Sequence, residues 1–103
     1  MTNSSFEETL SYLTNIPSNT QLAFDIETTR NPNIITHMGL SYESDRAISI
    51  NFSRFSDQQE KLIWDELDRI LSCPTLGKIG HNIQFDCSVL LWNHAIYVSN
   101  IFT

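Results

Sequence analysis

Residues 21–29, QLAFDIETT, alternate apolar and polar side chains and set two acids two positions apart. In a strand, successive side chains point to opposite faces. Leu22, Phe24 and Ile26 therefore share one face, and Gln21, Ala23, Asp25 and Glu27 share the other. A sheet built around this strand buries the first face and leaves the second polar. Side by side on that second face, each carboxylate raises the cost of ionising its neighbour. Such a pair suits a cation held between its oxygens, or it is a plain solvent-facing sheet edge.

The chain has 103 residues, enough for one small domain with a real core and not for two. A hydrophobic content of 41% fits a globular α/β or α+β domain rather than a disordered chain. No apolar run approaches a membrane span, and the start, MTNSSFEETL, lacks the basic and apolar regions of a signal peptide. Cys73 and Cys87 form no CxxC, so they read as reduced thiols, small buried hydrophobes in a cytoplasmic setting. With 12 acids against 6 Lys plus Arg, the net charge is −6. That balance excludes a simple basic nucleic-acid-binding module, but not an enzyme that meets phosphate through bound divalent cations.

Periodicity predicts a helix over 4–15, with Glu7 and Glu8 in its first turn, and a second over 57–72, with Asp57 able to start it. Strands are expected at 21–27, 35–42, 46–52 and 78–80, then a helix over 83–94 and a last strand or strand entry at 96–102. Asn31-Pro32-Asn33 and Glu43-Ser44-Asp45 supply the turns. A hairpin meander followed by strand–helix alternation implies a mixed sheet covered by helices. With helix 57–72 as a crossover, strand 78–80 lies parallel beside 21–27. Function in such sheets gathers at the strands' carboxyl ends.

The second notable stretch, GHNIQFD (80–86), falls at one of those ends. Gly80 permits close backbone approach, and Asn82 is placed to cap the helix that follows. Asp86 then lies just over one turn in, near the positive end of the helix dipole, and offers a third carboxylate toward Asp25 and Glu27. Phe85 is an apolar neighbour able to pack or press on a base. D-x-E alone arises by chance in roughly a third of chains this long, so the weight rests on the two motifs together.

FDIETT followed by KIGHNIQFD resembles the first and second motifs of the DEDD 3′→5′ exonucleases. Within them it is most similar to the proofreading domain of family A (DNA polymerase I-like) DNA polymerases. The likeness runs over about residues 20–103, where AIYVSNIFT resembles the segment leading to that family's next helix. It implies a ribonuclease H-like fold and an α/β mixed sheet flanked by helices, truncated at the C-terminus. It also implies that Asp25 and Glu27 are metal ligands, Glu27 orienting the attacking water, with Asp86 a third ligand. The backbone around Thr28 would lie against the terminal nucleotide, and Asn82 would support the second motif. Two Mg²⁺ or Mn²⁺ ions, about 4 Å apart, suit all-carboxylate ligation and in-line displacement on the 3′ end of single-stranded DNA or RNA.

The family's third motif, a carboxylate led by Tyr or His, does not occur in these residues. The sequence is therefore expected to be the amino-terminal part of a single exonuclease domain, with the rest of a longer polymerase or exonuclease chain as partner. These residues alone are expected not to be an efficient nuclease. Three functions stay open: a proofreading part of a DNA polymerase, a stand-alone RNase D-like enzyme acting on RNA, and a non-catalytic metal-binding remnant. His37, His81 and His94 stand in no ligand-spaced constellation and read as structural. Trp64 and Trp92 read as core or interface, and Leu90, Leu91 and Ile101 as apolar surface left uncovered.

Overall fold

In the computed structural model, residues 4–30, 32–43 and 45–102 are described. Helix α1, Phe6–Thr14, starts at Ser5: its hydroxyl accepts from the Glu8 amide while the Glu8 carboxylate accepts from the Ser5 amide. Ser56 and Gln59 repeat this reciprocal cap at α2, Asp57–Leu71, so Ser56 rather than Asp57 sets that start. Both helices fall where their periodicity predicts.

The sheet has four strands in the order β3-β2-β1-β4: β1 Gln21–Thr28, β2 Ile35–Glu43, β3 Arg46–Asn51 and β4 Gly77–Ile79. The β1–β2 and β2–β3 pairs are antiparallel, and β4 runs parallel to β1 through the α2 crossover, as expected. Phe52 leaves β3 for a short 3-10 turn, Phe52–Arg54, instead of extending the strand. Asn31 and Ser44, within the two expected turns, lie outside the described residues. Helix α3 is Ile83–His94. Among the described residues no helix is long and apolar enough to cross a membrane.

One sheet face carries the core. Leu22, Phe24, Ile26, Met38, Leu40, Ile48 and Ile50 are buried with Leu13 of α1, Ile63 and Leu67 of α2, and Val89 and Leu90 of α3. At about 25 cal/mol per Å² of apolar area, this shared burial is what holds three short helices that would not persist alone. On the opposite face, Gln21, Asp25 and Glu27 are exposed, so the alternation read in QLAFDIETT holds residue by residue.

Of the strand or strand entry expected at 96–102, the full strand is not formed. Its alternation is real, since Ile96 and Val98 are buried and Tyr97 is exposed. Yet Ser99 donates its amide to Leu71 O, which removes that amide from any ladder, and its hydroxyl donates to Ser72 O at the end of α2. Left-handed Ala95 and Asn100 break the extended run at both ends. Only a bridge between Ile101 and Lys78 remains, flanked by Lys78 N to Asn100 O and Phe102 N to Lys78 O. Lys78 is fully buried between these segments. Its ammonium donates to Cys73 O, and burial pushes its pKa down. Two further expectations change. Leu90 is core rather than surface, and Cys73 and Cys87 are free but only half-buried. Of the core or interface reading of Trp92, its 78% exposure removes the core half. Leu91 and Ile101 are exposed apolar residues, as expected, and Trp64 is core.

Gly80 earns its place by a close approach, because a Cβ there would come within 2.8 Å of Phe24 O. Backbone must move to relieve that clash, so Gly80→Ala should destabilise the chain by about 1–3 kcal/mol. A thermal melt checks this, and an unchanged midpoint would contradict the tight packing of β4's exit on β1.

Candidate active site

Strand β1 is paired unequally on its two edges. Toward β2 it is paired from Ala23 to Thr28, but toward β4 only from Gln21 to Ala23. Among the described residues no strand lies beside the second edge past Ala23. The Ile26 amide points there and is bound by Asp86 Oδ2 at 3.3 Å. Asp86 is 4% exposed, so a side chain from the start of α3 takes over where the short β4 strand ends. This bond links the D-x-E strand to the GHNIQFD segment.

Asn82 stands at the N-cap position of α3, but not as a side-chain cap. It adopts a left-handed conformation, φ 54° and ψ 43°, and its side chain makes no capping hydrogen bond. Asn is among the few residues that adopt this conformation at low cost, so it turns the chain from β4 into α3 by its backbone. Phe85, next to Asp86, is 41% exposed.

Asp25 and Glu27 lie in a groove of about 500 Å³ on the uncovered sheet face, with Gly39, His37, Gly80 and His81 also along its walls. Asp25 faces Gly39 across the β1–β2 pair, and a Cβ on Gly39 would meet nothing nearer than 4.0 Å, which leaves room beside the carboxylate. Glu27 faces His37, whose Nδ1 lies 3.7 Å from Glu27 Oε2. The register slips just beyond, where Thr28 faces Ile35 and Thr36 is the extra residue of a β-bulge. Thr28 ends β1 half-buried. His37 was expected to stand apart from any site. Its contact with Glu27 depends on hairpin register, which residue types in one strand do not reveal. His94 is also not isolated, for its ring stacks on Trp64 with centroids 3.6 Å apart. His81 is exposed at the groove wall.

A family profile described as 3′-5′ exonuclease matches residues 1–103. The chain belongs to this 3′-5′ exonuclease family. No curated sequence matches it. Among solved structures, Escherichia coli RNase D is 18% identical with a TM-score of 0.75, over 99% of this chain and 27% of its own. The catalytic core of RRP6 from Trypanosoma brucei is 15% identical with a TM-score of 0.75, over 95% of this chain and 26% of its own. The EXD2 exonuclease domain soaked in Mg and GMP is 18% identical with a TM-score of 0.66, over 94% and 47%. These likenesses establish the ribonuclease H-like exonuclease fold, and the chain spans less than half the length of each of the three.

Within this exonuclease family member, the electrostatics single out Asp86. Burial pushes its pKa up to about 6, the Asp25 charge adds to the rise, and the Ile26 amide offsets part of it. A buried carboxylate pressed by a neighbouring one lacks a positive charge. Together with hard oxygen donors at Asp25 and Glu27, that fits Mg²⁺ or Mn²⁺ rather than a softer metal. The three carboxylates do not close on one point, however. Among the described residues no three His, Cys, Asp or Glu side chains form a ready metal cluster.

The raised pKa has a defined consequence in chelator. Between its ordinary value of 3.8 and about 6, folded Asp86 keeps a proton that the unfolded chain has released. Its contribution is therefore full below about pH 4 and is lost as pH rises through 6. Asp86→Asn removes that loss while keeping an oxygen for the Ile26 amide. In chelator it should stabilise the chain by about 2–3 kcal/mol at pH 8 and hardly at all at pH 4. Denaturant melts at both pH values check this, and a destabilised variant at pH 8 would contradict it.

Proposed function

We propose that these residues carry the two-motif half of a 3′-5′ exonuclease site that removes nucleotides from the 3′ end of single-stranded nucleic acid. The observation that carries this is the Asp86–Ile26 bond, which sets the second motif's carboxylate against the strand bearing Asp25 and Glu27. Family membership and the Mg- and Mn-soaked EXD2 structures support use of a divalent ion.

Asp25, Glu27 and Asp86 would hold the ions. Ions bound there would lower the pKa of a water and neutralise charge on the leaving oxygen. Glu27 orients that water toward the terminal phosphorus. As the new P–O bond forms, the bond to the 3′ oxygen of the preceding nucleotide breaks, that oxygen takes a proton, and a nucleoside 5′-monophosphate leaves. The Thr28 backbone lies along the terminal nucleotide, Phe85 offers its exposed ring to a base, and Asn82 aims the start of α3. The greater length of the matched structures supports a larger unit, and the resemblance to the DEDD exonucleases implies a further carboxylate within it.

On substrate, KIGHNIQFD favours the proofreading domain of a DNA polymerase. The backbone similarity to RNase D, described as an exoribonuclease in structured RNA processing, favours RNA as strongly. Mn²⁺ titration of the chain, followed by timed digestion of 3′-labelled single-stranded DNA and RNA, tests both points. Mn²⁺ affinity should fall more than about tenfold in Asp25→Asn and Glu27→Gln, where even residues behind the ligands cost 10–100-fold. Any release should be slow, start at the 3′ end and stop in chelator. Mn²⁺ binding indifferent to both substitutions, or release from the 5′ end, would overturn the proposal.

A further inference from the structure

We infer that His37 is a positioning residue for Glu27, oriented by the Thr36 bulge so that its Nδ1–H faces the Glu27 carboxylate. The inference rests on the proposed role of Glu27 as a metal ligand and adds a residue to that site.

The Thr36 hydroxyl has one proton and two neighbours, Glu27 O and His37 Nδ1, and the carbonyl is the one that can only accept. The Thr36 hydroxyl donates to Glu27 O at 3.2 Å, which uses its one proton. With that proton given to the carbonyl, which can only accept, the hydroxyl oxygen is left to accept at its 3.0 Å contact with His37 Nδ1, the arrangement in which Nδ1 carries the hydrogen. The same nitrogen lies 3.7 Å from Glu27 Oε2, too far for a full hydrogen bond but within electrostatic reach. One N–H is thus aimed between a fixed hydroxyl and the mobile carboxylate, and the lone pair of the neutral ring is left on Nε2.

The bulge makes this possible. With Glu27 facing His37 and Thr28 facing Ile35, Thr36 is free to turn its side chain back to the Glu27 carbonyl. Without the extra residue, Thr36 would pair in the ladder and could not reach both partners. The Glu27 side chain is 74% exposed and would otherwise sample many rotamers. A fixed N–H beside it narrows them before an ion arrives, which is the part played by hydrogen-bonded residues behind the ligands of metal sites.

Two measurements on the full 103-residue chain test the inference. Long-range ¹H–¹⁵N spectra at alkaline pH, where imidazoles are neutral, should show His37 as the Nδ1–H tautomer. Free imidazole side chains favour Nε2–H, so an Nε2–H ring would overturn the inference. Mn²⁺ affinity is then compared in three variants. His37→Asn, whose amide nitrogen falls near Nδ1, should stay within threefold of the parent chain. His37→Leu and His37→Gln should lose about tenfold. Retention in His37→Gln with loss in His37→Asn would place the work on Nε2 and overturn the inference, as would a loss of less than threefold in His37→Leu. Should His37→Leu fail to fold, Thr36→Val carries the test by switching the tautomer and weakening Mn²⁺ at least threefold. Asp25→Asn separates the two levels. If it leaves Mn²⁺ binding intact, the proposed function falls and this inference with it. If it abolishes binding while His37→Leu does not weaken it, only the positioning role falls.

Discussion

A hydrogen bond from the Ile26 amide to the Asp86 carboxylate joins the two halves of the candidate site. It exists because β4 is three residues long and leaves the edge of β1 unpaired past Ala23. An open strand edge in a core is costly unless something takes its amides. Here the cover is an acid, and burying it costs ionisation energy that a longer strand would not. Burial therefore pushes the Asp86 pKa up, and the Asp25 charge adds to the rise. Local packing and the chemistry of the site are therefore the same feature seen from two sides. A carboxylate that would be a poor structural choice becomes a sound one where a divalent cation binds.

The close approach at Gly80 and the left-handed turn at Asn82 follow from that constraint. Asp86 reaches the β1 edge only if the chain leaves β4 against Phe24 and turns sharply into α3. The first needs a residue without a Cβ, and the second needs one that accepts positive φ at low cost. Gly80 and Asn82 meet these needs in order. Asn82 thus acts through its backbone, and its side chain is left free of any capping bond.

Much of this was legible in the residues. Alternation in 21–27 gave the two faces of β1, the capped helix at 57–72 implied the crossover, and the crossover implied a parallel β4. What stayed hidden depends on partners distant in sequence. IYVSNIF alternates as a strand does, but the Ser99 amide and hydroxyl find the end of α2 instead. Leu90 and Trp92 sit two positions apart on one helix, and only packing decides that the first is core and the second stands in solvent. The bulge at Thr36 shifts register by one residue, and without that register nothing in THMG sets His37 beside Glu27.

Hydrogen exchange at the Ile26 amide tests the joining bond most directly. In the parent chain this amide should be protected, although among the described residues no strand pairs with β1 at that edge. In Asp86→Ala it should exchange at least tenfold faster relative to the amides of the β2–β3 pair, which serve as the internal reference. An Ile26 amide already fast in the parent chain, or one unchanged by the substitution, would contradict the account and separate the two motifs into unrelated features.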